Sequence, residues 1–325
     1  MSSPNHKPSG IYSALPTPFT ATGEVDIDQL LALMAWQLRP TSTLSSAAPR
    51  THTASWAGVN GFVIYGTTGE ASTLTLAERE DMTRAAVQRF PNVEMIAGVG
   101  NNCTRSSIEL AQRARAWGAT GGLVVTPYYN KPSQEGLYRH FALIAESCPE
   151  WPLILYTVPG RSVVELEVGT VDRLLGAYPH IHAIKDATAD LSYGAELISC
   201  CQGRAHVLSG DDPTALAAWS LGASGSISVI SNLIPAEVVS LWEHHRAGRY
   251  AEARRLFLAF HPLTRSLFIE SNPVPLKRAL EVWSAEEVIP IPSCDASVRA
   301  PLAPLREESY TRLLGALNDW RRVSL

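Results

Sequence analysis

Short apolar runs alternate eight times with amphipathic ones, and this alternation constrains the fold more than any other feature of the sequence. The runs begin near Ile11 (IYSALPTPF), Gly61 (GFVIYGTTGE), Met95 (MIAGVG), Gly122 (GLVVTPYY), Pro152 (PLILYTVP), Ile181 (IHAIKDA), His206 (HVLSGDD) and Gly225 (GSISVI). They are continuous rather than alternating in hydrophobicity, as strands buried on both faces are. Thr75-x-x-Glu78 and Ser106-x-x-Glu109 read as capping boxes. They introduce expected helices over Leu76–Phe90 and Ile108–Trp117, the second stopped by Gly118. Eight such units in about 240 residues predict an α/β fold, a (β/α)8 TIM barrel.

The first interval between strand starts is 50 residues, against 19 to 34 for the others. Residues 39–56 (RPTSTLSSAAPRTHTASW) account for the excess, with eight Ser or Thr, two prolines and no acidic residue. Neither a helical nor a strand period fits them, so they read as an inserted, solvated loop entering the N-terminal end of the second strand. That end is the stability face of a barrel, opposite its catalytic face. After the eighth strand come helical patterns at Pro235–His245, Tyr250–Phe268, Pro275–Trp283 and Glu307–Trp320. In the second, Tyr250, Ala253, Phe257, Phe260, Leu263 and Leu267 fall on one stripe. The expected organisation is a barrel over 1–246, with the inserted loop at 39–56, and a C-terminal helical appendage over 247–325.

Composition excludes several function classes. With 325 residues, 46% of them hydrophobic and 18% charged, general disorder is ruled out. A net charge of −4 leaves no electrostatic footprint for nucleic acid or an anionic membrane. No run of about 18 apolar residues suits a membrane span, and the polar start MSSPNHKPSG lacks the apolar stretch of a secretory leader. Five cysteines without a C-x-x-C pair read as reduced thiols, so a cytoplasmic location is expected. His244-His245 has no nearby carboxylate array, and no metal site is expected there.

In a barrel, polar residues at the C-terminal ends of the strands are the functional candidates. Here they are Thr17; Thr67-Thr68-Gly69-Glu70; Asn101-Asn102; Tyr128-Tyr129-Asn130; Tyr156 and Arg161; Lys185-Asp186; Gly210-Asp211-Asp212; and Ser228 through Asn232. Lys185 leaves an apolar strand, and burial disfavours an ammonium and frees a neutral amine to attack a carbonyl. Pairing with Asp186 at the rim is the competing reading, and position alone does not choose between them. Tyr129, Tyr156 and a threonine supply hydroxyls able to relay the protons that Schiff-base formation moves. Taken singly, each tyrosine reads as readily as a packed aromatic. The Gly66-Thr67-Thr68-Gly69 turn offers backbone N–H groups and hydroxyls to a carboxylate, and Arg161 offers a guanidinium fork to a second one.

At these residues the sequence resembles the dihydrodipicolinate synthase family of pyruvate-dependent class I aldolases. The resemblance runs from about Gly10 to Leu317 apart from the insertion. It rests on GTTGE at 66–70, TPYYNKPSQEG at 126–136, YTVPGR at 156–161, IKDAT at 184–188 and LSGDD at 208–212. It implies that Lys185 forms a Schiff base with pyruvate, with Thr67, Tyr156 and Tyr129 as the proton relay and Tyr129 reaching a neighbouring subunit. It implies that Thr68 with Thr67 holds the pyruvate carboxylate, that Arg161 holds the carboxylate of L-aspartate-4-semialdehyde, and that Gly210 and Ile227 line the pocket. The implied product is 4-hydroxy-tetrahydrodipicolinate, on the diaminopimelate route to lysine, made without cofactor or metal by a homo-oligomer, a dimer of dimers. Sister aldolases such as N-acetylneuraminate lyase, 2-keto-3-deoxy sugar acid aldolases or dehydratases and 4-hydroxy-2-oxoglutarate aldolase use the same lysine, and an inactive barrel is the non-enzymatic alternative. The Thr67-Thr68 pair and Arg161 favour the synthase. Four positions depart from the family pattern: Thr157 for asparagine, Ala189 for glycine, Ser106 for an acidic residue and Arg79 for histidine. The last two imply weak feedback inhibition by lysine.

Overall fold

The computed structural model describes residues 7–39, 58–289 and 294–324. Eight strands close a parallel barrel in sequence order: β1 (Gly10–Ala14), β2 (Gly61–Ile64), β3 (Glu94–Gly98), β4 (Gly121–Val125), β5 (Leu153–Thr157), β6 (Ile181–Asp186), β7 (His206–Ser209) and β8 (Gly225–Ser228). Each begins within one residue of its apolar run, and β1, β2, β5 and β8 are buried at every position. The insertion read at 39–56 lies, beyond Arg39, outside the described residues.

The helices between the strands are α1 (Ile27–Gln37), α2 (Leu76–Arg89), α3 (Thr104–Trp117), α4 (Gln134–Ser147), α5 (Pro159–Ser162), α6 (Val168–Ala177), α7 (Leu191–Cys201) and α8 (Ala215–Leu221). The first capping box forms as expected. The Thr75 N–H donates to Glu78 Oε2 at 2.7 Å, and the Glu78 N–H returns to Thr75 Oγ1 at 3.2 Å. The second does not form. Asn101 Oδ1 accepts from the Cys103 N–H at 2.9 Å, an Asx turn that starts α3 at Thr104 and leaves Ser106 inside its first turn. Glu109 then pairs with Arg113 one turn further on, at 2.9 Å.

After β8 come α9 (Pro235–Arg246), α10 (Tyr250–Ser266), α11 (Val274–Ala285) and α12 (Glu307–Ser324). The stripe expected on α10 is partly corrected. Ala253, Phe260, Leu263 and the following Leu267 are buried, but Leu256 takes the inward place given to Phe257, and Tyr250 is 65% exposed. At the first position of its helix, Tyr250 meets the edge of His245 on α9, 5.5 Å between ring centroids, rather than the core.

The chain divides into two compact units. One comprises the described parts of Met1–Gly10 and Ala86–Ile227 and the other those of Ile11–Ala85 and Ser228–Leu325. In the first, β5 and β6 pair in parallel, with Tyr156 opposite Lys185 and Thr157 opposite Asp186. In the second, the polar residues after β8 serve structure. Ser231 and Ser13 hydroxyls meet at 2.8 Å, Asn232 donates to the Ala14 carbonyl at 2.9 Å, and Gln37 donates to Asn232 at 3.0 Å. All five are buried, so these bonds satisfy donors and acceptors that desolvation would otherwise leave costly, Gln37 Oε1 excepted.

Glu237, in the first turn of α9, is buried, and desolvation pushes its carboxyl up to about 7 against a minor opposing hydrogen bond from its own backbone N–H. The folded chain therefore holds this proton at pH values where the unfolded chain has released it. The resulting cost is absent below about pH 4.5 and complete above about pH 7. Glu237→Gln is expected to stabilise the protein at pH 8 by on the order of 2–3 kcal/mol and to change nothing at pH 4. Urea unfolding at the two pH values reads this, and equal effects at both would refute it.

Candidate active site

Strand alternation sends successive side chains to opposite faces, and at the end of β6 it separates Lys185 from Asp186. Asp186 Oδ1 accepts from the Thr188 N–H at 2.9 Å and the Thr188 hydroxyl at 2.7 Å. Its Oδ2 lies beside α7, where a Cβ on Gly194 would come within 3.3 Å. Desolvation raises the Asp186 carboxyl above the usual range, with the two Thr188 bonds opposing. The Lys185–Asp186 pair that the sequence left open does not form: among the described residues Lys185 has no carboxylate partner. Its Nζ instead lies 4.4 Å from the centroid of the Tyr156 ring, and both residues are 6% exposed. The Tyr156 hydroxyl takes no hydrogen bond among the described residues, which leaves it available to a ligand.

Gly210, directly after β7, explains how a lysine fits there. Its N–H donates to the Asp186 carbonyl at 2.6 Å. A Cβ on it would stand 2.6 Å from Lys185 Cε and 3.0 Å from Lys185 Cγ, so only glycine lets this backbone run beside the lysine stem. Ile227 is buried on β8, and the pairing of Ser209 with Ser226 places Gly210 and Ile227 one step further along the two neighbouring chains.

Arg161 is exposed on the single turn α5, which Pro159 opens and which the Ser162 hydroxyl, accepting from Thr126 at 2.9 Å, ties to the end of β4. Tyr129 is 89% exposed, with a left-handed backbone at φ 74°. The next side chain, Asn130, fixes the loop by donating to the Asn102 carbonyl at 2.9 Å. A ring so exposed touches almost nothing of its own chain, so the chain does not pack Tyr129 against the buried Lys185.

In the second unit β2 runs into the turn Gly66–Glu70. The Gly69 and Glu70 N–H groups are used within the turn, bonding the Gly66 and Thr67 carbonyls at 3.1 Å each. Thr17, a strand-end candidate, braces the turn through its hydroxyl to the Gly69 carbonyl at 2.6 Å. Gly69 is required by close approach, since a Cβ there would lie 2.7 Å from the Tyr65 Cα. The Thr67 and Thr68 N–H groups take no partner among the described residues, and consecutive free amides make an anion-binding concavity. The buried Thr68 hydroxyl accepts from Asn272 Nδ2 at 2.9 Å. Asn272, Lys277 and Arg299 around this turn have no counterpart among the expected residues. The sequence signal open to reading was a lysine directly after the apolar residues Val274–Leu276.

Comparison with known proteins gives the family. The dihydrodipicolinate synthetase family model matches residues 50–319. The chain belongs to this family. It is 39% identical over 315 residues to the 4-hydroxy-tetrahydrodipicolinate synthase of Citrifermentans bemidjiense, covering 97% of this chain and 99% of that one. Among solved structures it resembles the dihydrodipicolinate synthase of Thermotoga maritima, with TM-score 0.86, 31% identity and coverage of 97% and 99%. It also resembles the chloride-inhibited enzyme of Acinetobacter baumannii complexed with pyruvate, with TM-score 0.83, 39% identity and coverage of 96% and 98%.

Two departures from the dihydrodipicolinate synthetase pattern now have a place. Thr157 pairs with Asp186 in register and so points away from the face of Lys185; its hydroxyl accepts from the Leu166 N–H at 3.2 Å. The substitution lies on the outer side of the strand rather than in the lysine pocket. Ala189 keeps the left-handed backbone at φ 59°, so the turn survives without glycine at a cost of about 1–2 kcal/mol. Arg79, the third, is buried, donates to the Ala71 carbonyl and lies 5.4 Å from the centroid of the Tyr65 ring.

Proposed function

We propose that the chain condenses pyruvate with L-aspartate-4-semialdehyde to give 4-hydroxy-tetrahydrodipicolinate. The observation that carries this is Lys185, buried against Tyr156 with a glycine wall along its stem and, among the described residues, no carboxylate partner. The neutral amine adds to the pyruvate carbonyl, and loss of water gives the Schiff base. Thr67, Tyr156 and Tyr129 relay the protons, Tyr129 coming from a neighbouring subunit, which its exposure supports. Removal of a methyl proton gives the enamine, which attacks the aldehyde carbon. The amine of the second substrate then displaces Lys185 by transimination. Thr67 and Thr68 hold the pyruvate carboxylate and Arg161 the carboxylate of the semialdehyde, while Gly210 and Ile227 line the pocket. The chemistry needs no cofactor or metal. We place the enzyme in the cytoplasm as a dimer of dimers; no helix among the described residues is long and apolar enough to cross a membrane.

Borohydride reduction with pyruvate present is expected to add a pyruvyl mass to Lys185, and aspartate semialdehyde should be consumed in steady state. Arg161→Ala is expected to raise KM for the semialdehyde by about 10- to 100-fold while leaving KM for pyruvate within about threefold. An unmodified Lys185 would end the enzymatic reading. An unaltered semialdehyde KM in Arg161→Ala would favour a sister aldolase.

A further inference from the structure

The turn that carries Thr67 and Thr68 is a strained piece of chain. Glu70 holds a left-handed backbone at φ 54° and Tyr65 one at φ 37°, conformations that persist in non-glycine residues only where their surroundings impose them. For Glu70 the surroundings are the C-terminal segment. Its carboxylate is 1% exposed; Oε1 accepts from Lys277 Nζ on α11 at 2.5 Å, and Oε2 accepts from the Arg299 backbone N–H at 2.9 Å. Lys277 Nζ also donates to the Ser297 carbonyl at 2.7 Å and lies 4.0 Å from the centroid of the Phe19 ring. The Arg299 guanidinium lies 4.4 Å from the same centroid and bonds the Gly23 carbonyl, the Thr73 carbonyl at 2.9 Å and the Glu78 carboxylate. Three residues beyond β8 therefore grip both ends of a segment that begins at the turn.

A buried ion pair is weak evidence for stability, because apolar residues of similar volume do as well or better in its place. What such a pair supplies is geometry, since two charges with satisfied hydrogen bonds tolerate little displacement in a low-dielectric site. The geometry fixed here is that of the Thr67 and Thr68 amides. Asn272 adds the orientation of a proton: by donating to Thr68 Oγ1 it occupies a lone pair, and the hydroxyl hydrogen is left to point at an anion.

We propose that Lys277, with Arg299 and Asn272, is a positioning residue for pyruvate: the C-terminal helical segment sets the carboxylate-binding turn while contributing no atom to the reacting centre. The proposal rests on the reading that this turn takes the pyruvate carboxylate. Lys277→Met alone would leave the Glu70 carboxylate buried without a countercharge, so the informative protein is the double variant Lys277→Met/Glu70→Gln, which removes both charges together. Its KM for pyruvate is expected to rise about tenfold or more, with kcat at saturating pyruvate and KM for aspartate semialdehyde within about threefold of the parent. A purely structural role would lower the melting temperature and leave the pyruvate KM in place, and that outcome overturns the proposal. Should the double variant not fold, Asn272→Ala carries the test, since it removes the bond to Thr68 and leaves the buried Lys277–Glu70 pair intact; a pyruvate KM raised at least about threefold is expected, and an unchanged one overturns the proposal. The parent protein is assayed alongside by borohydride trapping. Failure of the parent to trap pyruvate refutes the functional reading, whereas normal trapping in the parent with an unchanged KM in the variant refutes only the positioning role.

Discussion

Replacing Lys185 by alanine is expected to lower kcat/KM by about 10⁴-fold or more and to abolish the pyruvyl adduct, while the barrel stays folded. The reasoning is local. The lysine stem lies in an apolar strand end and forms no ion pair among the described residues, so truncation leaves no orphaned carboxylate there. The neighbouring Asp186 supplies the contrast. It faces α7, bonded to Thr188, and Asp186→Asn is expected to act on the stability of that loop and to keep trapping intact. Mass spectrometry after borohydride reduction, with melting temperatures measured on the same samples, separates the two. An Asp186→Asn variant that lost the adduct while Lys185→Ala kept it would reverse the assignment.

The lysine was legible because strand position and residue type coincide. A charged residue at the end of IHAI has few structural reasons to be there, and the four motifs after GTTGE fall at the successive ends of β4 to β7. The strands were legible to within a residue because burial on both faces writes itself as a continuous apolar run. Local competition was not. The Ser106 capping box lost to an Asx turn at Asn101, two equally good local signals five residues apart of which one helix can use only one. Phe257 and Leu256 are both apolar and adjacent, so helical periodicity alone did not choose which faces inward. Longer-range matters left still less trace. Asn272 meets Thr68 across 204 residues of sequence, Lys277 meets Glu70 across 207, and Arg299 meets Glu70 across 229. No pattern in either segment carries that pairing, because what unites them is the closing of the fold rather than a period or a cap.

Gly210 tests whether the lysine's path matters as much as its presence. Its φ is not in the left-handed region, so alanine fits the backbone, and the lost flexibility of the unfolded chain favours the variant slightly. The obstruction is the lysine together with Ala187: the new Cβ would stand 2.6 Å from Lys185 Cε, 3.0 Å from Cγ and 2.9 Å from the Ala187 Cβ. The lysine stem can swing aside but the Ala187 Cβ moves only with its backbone, so the cost in stability is expected to be about 1–3 kcal/mol, as for overpacking. The amine would be carried off its line with the stem, and a displacement of about 1 Å at a reacting atom is worth about 10²-fold in rate. Gly210→Ala is therefore expected to fold and yet to lose about 10²-fold in kcat, with pyruvate trapping at Lys185 slowed in proportion. Gly176→Ala on α6, where a Cβ meets nothing within 4 Å, is the matched control and should keep both rates. If Gly210→Ala traps pyruvate as fast as the parent, the lysine reaches its substrate by another route and the glycine wall has no catalytic role. If it traps slowly while its melting temperature stays near the parent's, the loss is one of position, the kind of loss that a rigid strand end exists to prevent.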